Sequence, residues 1–197
     1  MIIAGITGGI GSGKSTVSML FELNGIPVYI ADTESKRLIA SSSVIREKLI
    51  RLFGEELYKD GVLNKALLAS HIFNDKRKLE TVNAIIHPVV AEDFRTWVQS
   101  HQDKGFDIVA HEAAILFESG FDKLVDKTIM VYTPLEMRIE RTIARDNTSR
   151  KKVLERIQNQ MPDEEKVELS DFVIVNDGTQ SLIEQVSVII QKLRVQE

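Results

Sequence analysis

Eight consecutive residues, Gly8-Gly9-Ile10-Gly11-Ser12-Gly13-Lys14-Ser15, fit the pattern G-x-x-x-x-G-K-[ST] at every fixed position, and Thr16 extends it. The chemistry open to such a segment is phosphate binding. Glycines let the main chain wrap closely around phosphate oxygens with several N–H groups turned inward. The helix that follows adds its unpaired first-turn donors and its dipole. Lys14 supplies a point charge for terminal phosphates, and Ser15 offers a hydroxyl to Mg²⁺. Gly9, Ile10, Gly11, Ser12, Gly13, Lys14, Ser15 and Thr16 are therefore the expected ATP-binding residues. A P-loop alone does not say what receives the phosphate.

Other side chains could complete a transfer. Asp32 follows a short apolar run, where a carboxylate can either cap the next helix or act as general base toward an acceptor hydroxyl. Glu112 follows the run Phe106–Ala110, in the place of an acid that reaches Mg²⁺ through water. Glu118 is a second, weaker acid that could equally face solvent. Arg138, Arg141, Arg145, Arg150, Lys151, Lys152 and Arg156 form a cationic stretch. Arg141 and Arg145 are four apart and share one helix face, suited to charge building on a transferred phosphate. A solvated helix laced by Glu136, Glu140 and Glu155 is the bland alternative, and it suits Lys151 and Lys152. His87-Pro88 has no nearby ligands that would make it a metal site.

The elements that must position these groups follow from pattern. Apolar runs at 2–7, 27–31, 106–110, 128–132 and 172–175 read as buried strands. Helical spacing covers 14–24, with Gly25 as its stop, and a stripe from Val44 to Phe53 closed by Gly54. Asp60-Gly61 marks a turn. Asn64 caps a short helix through Phe73, and a longer one runs from near Asp75 toward Ser100, with Pro88 expected to kink or divide it. Thr133-Pro134 opens a helix that carries Arg138 to Arg145, Ser149–Asn159 is another, and 181–193 closes the chain. Alternating strands and helices imply a parallel sheet covered on both faces. The helical stretch between the second and third strands is too long for a simple crossover.

Composition narrows the class. The chain has 197 residues, a formal net charge of −4 and no cysteine. Disulfides, thiolate metal sites and cysteine nucleophiles are excluded. The charge gives no pull toward nucleic acid or anionic lipid. The N-terminus is broken by glycines and does not read as a signal peptide. No apolar run approaches the roughly 20 residues of a membrane helix.

In order along the chain, several segments resemble the dephospho-CoA kinase family. They are 5–16, Ala31-Asp32, Phe53-Gly54, Asp60-Gly61, Asn83 with His87-Pro88, Ile115-Leu116-Phe117-Glu118, the arginines 141, 145 and 156 with Gln160, and Asn176 with Gly178. Ile30, Lys36, Glu112 and Ala114 depart from the family's usual residues. The resemblance implies a P-loop NTPase fold of the α/β class: three α/β/α layers, a five-stranded parallel sheet, a helical acceptor-binding insertion at about 33–100 and a lid at about 145–170, all in one kinase domain. It implies ATP-dependent phosphorylation of the ribose 3′-hydroxyl of dephospho-CoA, with Mg²⁺. Implied roles are catalysis for Asp32, Lys14 and Arg141, and ATP binding for Arg145 and Asn176. Acceptor binding falls to Asp32, His87, Leu116, Glu118 and Arg141, and metal contact to Ser15 and Glu112. It also implies a cytoplasmic enzyme with monomer the default, small-molecule substrates, and no nucleic-acid or membrane partner. Another P-loop metabolite kinase is one rival. A nucleotide-dependent switch is another, although Asn64-Lys65-Ala66-Leu67 lacks the acid of the guanine-recognition element N-K-x-D.

Overall fold

A computed structural model describes residues 1–59, 61–72 and 75–195. In chain order the elements are β1 (Ile2–Thr7), α1 (Lys14–Leu23), β2 (Val28–Ile30), α2 (Ala31–Ser41), α3 (Ser43–Phe53), β3 (Tyr58–Lys59), β4 (Val62–Leu63), α4 (Lys65–Ile72) and α5 (Lys76–Asp103). Then come β5 (Ile108–Glu112), β6 (Lys127–Tyr132), α6 (Leu135–Asp146), α7 (Arg150–Gln158), α8 (Asp163–Leu169), β7 (Phe172–Val175) and α9 (Leu182–Val195). The chain divides into two compact units, residues 1–30 with 98–197, and residues 31–97.

The first unit holds a five-stranded parallel sheet in the order β2-β5-β1-β6-β7. Its central strands read as unbroken apolar runs because both faces are covered. Ala4, Ile6, Ile108, Ala110, Ile129 and Val131 point to one face and pack with Val17 and Phe21 of α1 and Ile189 and Ile190 of α9. Residues of opposite parity, Val109, His111 and Met130, are also fully buried. On that second face Leu116 and Val125 close over Gly5, where an added Cβ would stand 2.9 Å from Leu116. A three-layer α/β arrangement results, as the alternation of strands and helices leads one to expect.

The second unit is mainly helical. α5 buries Val82, Ile86, Val90 and Phe94, one residue per turn of a single stripe. Pro88 lies inside this helix and does not divide it. A missing N–H costs about 3 kcal/mol in a helix interior, and the four-point apolar stripe offsets it. Arg37 of α2 forms a fork with Asp93 of α5, both contacts at 2.7 Å. Ser42 caps α3 by accepting from Ile45 N, and Asn64 and Asp75 cap α4 and α5 in the same way. β3 and β4 form a short antiparallel hairpin that periodicity does not reveal. Asp60 and Phe73 lie outside the described residues.

His111 of β5 is fully buried between Tyr29 and Phe121, with ring centroids 5.6 and 5.2 Å away. Burial holds its pKa down to about 4. The folded chain thus resists a proton that the unfolded chain accepts near pH 6.5, so stability is full above that pH and is lost as pH falls toward 4. Between pH 7 and pH 5 this one residue should remove about 2 kcal/mol. Denaturant unfolding at the two pH values checks it: His111→Phe should show a clearly smaller pH-dependent loss than the parent chain.

Candidate active site

β1 ends at Thr7, and the glycine-rich segment turns the chain into α1. Gly13 precedes α1 with φ +94, and no side chain caps the helix. The first amides of a helix have no partner within it, so Lys14 and Ser15 present donors at the sheet's carboxyl end. That end is where open parallel sheets bind ligands. Lys14 Nζ reaches back over the loop, 2.9 Å from Gly8 O and 3.4 Å from Gly9 O. Ser15 and Thr16 are exposed.

The loop is braced from the far half of the chain. Thr133, fully buried just after β6, has its hydroxyl 2.9 Å from Ser12 O and 3.0 Å from Asn176 O. Asn176, just after β7, donates from Nδ2 to the same Ser12 O at 2.8 Å. Arg141 Nη1 donates to Asn176 O at 3.3 Å. Asn176 thus stands against the loop, and Arg141 against Asn176. Thr133 is a brace that sequence reasoning missed, and only its place after an apolar strand hinted at it.

A second set of contacts reaches the loop from the stretch around α8. Ile10 N donates to Gln160 Oε1 at 3.0 Å. Arg138 of α6, 4% exposed, pairs with Asp163 through both guanidinium nitrogens, at 3.2 and 2.8 Å. Lys166, wholly buried, donates to Ala114 O at 2.8 Å and pairs with Glu118 at 2.9 Å. Burial pushes the Asp163 carboxyl up, opposed first by Arg138, then by Lys166 and, more weakly, by Lys14. Glu118 also accepts from Met161 N at 2.8 Å. Glu118 is exposed, and its carboxylate is held by Met161 N and Lys166 of the stretch around α8. Leu116 is fully buried and offers no surface to a ligand. Its side chain packs over Gly5 on the second face of the sheet.

Arg145 is exposed and bound to the neighbouring Asp146 at 2.7 Å, and Arg156 of α7 bonds the same carboxylate at 2.8 Å. Hydrogen bonds from Arg145 and then Arg156 hold Asp146 down to about 2. Arg150 forms a fork with Glu136, both contacts at 2.7 Å. Glu112 is the last residue of β5 and is in register with Ile6 of β1. Ser15 and Glu112 therefore stand at one end of the sheet. Among the described residues no group of three or more acidic or histidine side chains could hold a metal by itself. The hydroxyl of Ser15 and the carboxylate of Glu112 are oxygen donors of the kind Mg²⁺ takes beside water and phosphate.

In the second unit Asp32 is exposed and lies in the first turn of α2, two residues beyond the end of β2. The helix begins at Ala31, so Asp32 complements its dipole instead of capping it. His87 is half-buried on α5, and burial lowers its pKa. A cavity of about 210 Å³ opens between α2 and the hairpin, lined among others by Lys36, Ile39, Val62, Leu63 and Lys65.

The dephospho-CoA kinase family model matches residues 2–181. A dephospho-CoA kinase of Bacteroides fragilis is 54% identical over 182 residues, covering 92% of this chain and 88% of that protein. The crystal structure of TT1252 from Thermus thermophilus superposes with a TM-score of 0.84 at 35% identity, over 100% of this chain and 98% of that one. A dephospho-CoA kinase from Campylobacter jejuni gives a TM-score of 0.70 at 25% identity, over 97% and 96%. A phosphate loop braced from β6, α6 and β7, in a chain this similar to those proteins along its whole length, places the protein in the dephospho-CoA kinase family.

Proposed function

We propose that this chain transfers the γ-phosphoryl group of ATP to the ribose 3′-hydroxyl of dephospho-CoA, giving CoA and ADP. The observation that carries the reading is the glycine-rich loop with its uncapped helix and its Lys14 ammonium, in a member of this family. The acceptor oxygen forms a bond to the γ-phosphorus while the bond to the bridging oxygen of ADP breaks. The transition state is loose, so positioning and charge do most of the catalysis. Loop amides and Lys14 bind the phosphates, and Arg141 offers a further cation to the transferred group. Asp32 accepts the hydroxyl proton or orients that hydroxyl. Ser15 and, through water, Glu112 would hold Mg²⁺, which when bound neutralises charge on the phosphate oxygens.

Residues of about 33–100 act as the acceptor-binding insertion. Lys36 and Lys65 beside apolar residues suit an acceptor with both a phosphate and an apolar arm, and His87 helps to shape that side. Asn176 and Arg145 serve ATP, and the segment at about 145–170 is a lid that excludes water and so limits ATP hydrolysis. The chain works as a cytoplasmic monomer on small-molecule substrates. Its lack of cysteine suits a reducing compartment.

Purified protein with ATP, Mg²⁺ and dephospho-CoA should produce CoA and ADP in equal amounts. Turnover of another nucleoside or sugar, with none of dephospho-CoA, rejects the acceptor. Lys14→Ala should reduce kcat about 100-fold or more, because it removes the charge that meets the developing phosphate. Asp32→Asn should reduce kcat about 100-fold or more while leaving ATP affinity within about threefold. The opposite split, weak ATP binding with kcat retained, removes Asp32 from the base role.

A further inference from the structure

Position 9 of the phosphate loop is glycine for a reason that lies outside the loop. The phosphate-loop pattern leaves this position open. The backbone does not demand glycine there either, since Gly11 and Gly13 have left-handed φ and Gly9 does not. What excludes a side chain is an ion pair. A Cβ on residue 9 would stand 1.5 Å from Arg138 Nη1 and 2.9 Å from Asp163 Oδ1.

The pair is 5% and 9% exposed at its two side chains. Arg138 Nε is buried with no hydrogen-bond partner among the described residues. Taking two charges out of water costs several kcal/mol for each ion, and an apolar pair of similar volume is often as stable or more so. Stability alone therefore does not explain an arginine and an aspartate here. Their geometry does. Asp163, in the first turn of α8, holds the guanidinium in a fork. The guanidinium lies on Gly9. The carbonyls of Gly8 and Gly9 in turn hold Lys14 Nζ. An unbroken chain of contacts runs from α8 to the phosphate-binding ammonium.

We propose that Arg138 and Asp163 are a positioning pair: clamped by Asp163, Arg138 fixes the Gly8–Ile10 backbone and thereby the direction in which Lys14 and the loop amides meet the terminal phosphate. Neither residue touches substrate in this role. The inference rests on the loop's reading as a triphosphate cradle.

Three variants test it: Arg138→Lys, Asp163→Asn and the apolar double replacement Arg138→Met/Asp163→Leu. Each is measured for ATP affinity by calorimetry, for kcat and KM with dephospho-CoA, and for thermal unfolding. The double variant should unfold at or above the parent temperature and bind ATP within about threefold, yet turn over about 10- to 100-fold more slowly. Arg138→Lys keeps the charge but loses the fork, so its kcat should fall between the two. A folded double variant with parental kcat overturns the proposal. Should that variant not fold, Asp163→Asn decides by the same split: lowered kcat with ATP affinity retained supports the pair, and parental kcat overturns it. Failure of the cradle reading looks different, because the parent protein itself would then bind no ATP.

Discussion

The phosphate loop keeps its shape because the places where side chains would sit are already filled. An added Cβ would meet Val131 O at 2.6 Å from Gly8, Arg138 O at 2.4 Å from Gly11 and Asn176 Nδ2 at 2.2 Å from Gly13. These neighbours belong to β6, α6 and the turn after β7. The loop is thus a mould pressed from the second half of the chain, although its own residues lie within the first fifteen. A cradle whose donors are fixed before the ligand arrives has no reorganisation to undergo as charge develops.

Such a mould needs a stiff backing. β1, β5 and β6 supply it, since they are buried on both faces and each is paired on both edges. Interiors packed at crystal-like density transmit displacement and do not absorb it. Thr133 makes the join, with one buried hydroxyl against both Ser12 O and Asn176 O. Strand ends and loop are thereby tied together by hydrogen bonds.

Much of this was legible in the residues, and for physical reasons. β1, β6 and β7 show as apolar runs because a parallel sheet has no wet face. Asn64 shows as a cap, and Asp75 and Ser149 as helix starts, because short polar side chains satisfy orphan amides. The β3–β4 hairpin does not show, since two residues per strand are too few for alternation. α8 does not show either, although Pro162 followed by three acidic residues is a helix-start signal. Pro88 argued for a break because propensity is local, whereas the stripe from Val82 to Phe94 that holds the helix together is tertiary. At the site, the loop itself was plain. Asn176 came forward only through family resemblance, whereas Arg141 also stood out by sharing a helix face with Arg145. Arg138 looked like one more member of a basic run, because its partner stands 25 residues away. Leu116 and Glu118 are the converse case: their segment was recognised, but only packing decides which way it faces.

The cations around the loop fall into two classes, and the difference is set by burial. Arg145 and Arg156 share the exposed carboxylate of Asp146. Exposed pairs are screened by water and contribute little, so these arginines can leave Asp146 at little cost. Arg138 and Lys166 are the opposite. Removing a partner from a buried pair costs about 3–5 kcal/mol, so these two keep their partners whatever binds beside them. Rearrangement is therefore cheap at the α6–α7 corner and expensive at α8. Between them, in the few residues after α7, Gln160 meets the Ile10 amide. A single hydrogen bond of that kind contributes about 1 kcal/mol net, well below the cost of breaking either buried pair.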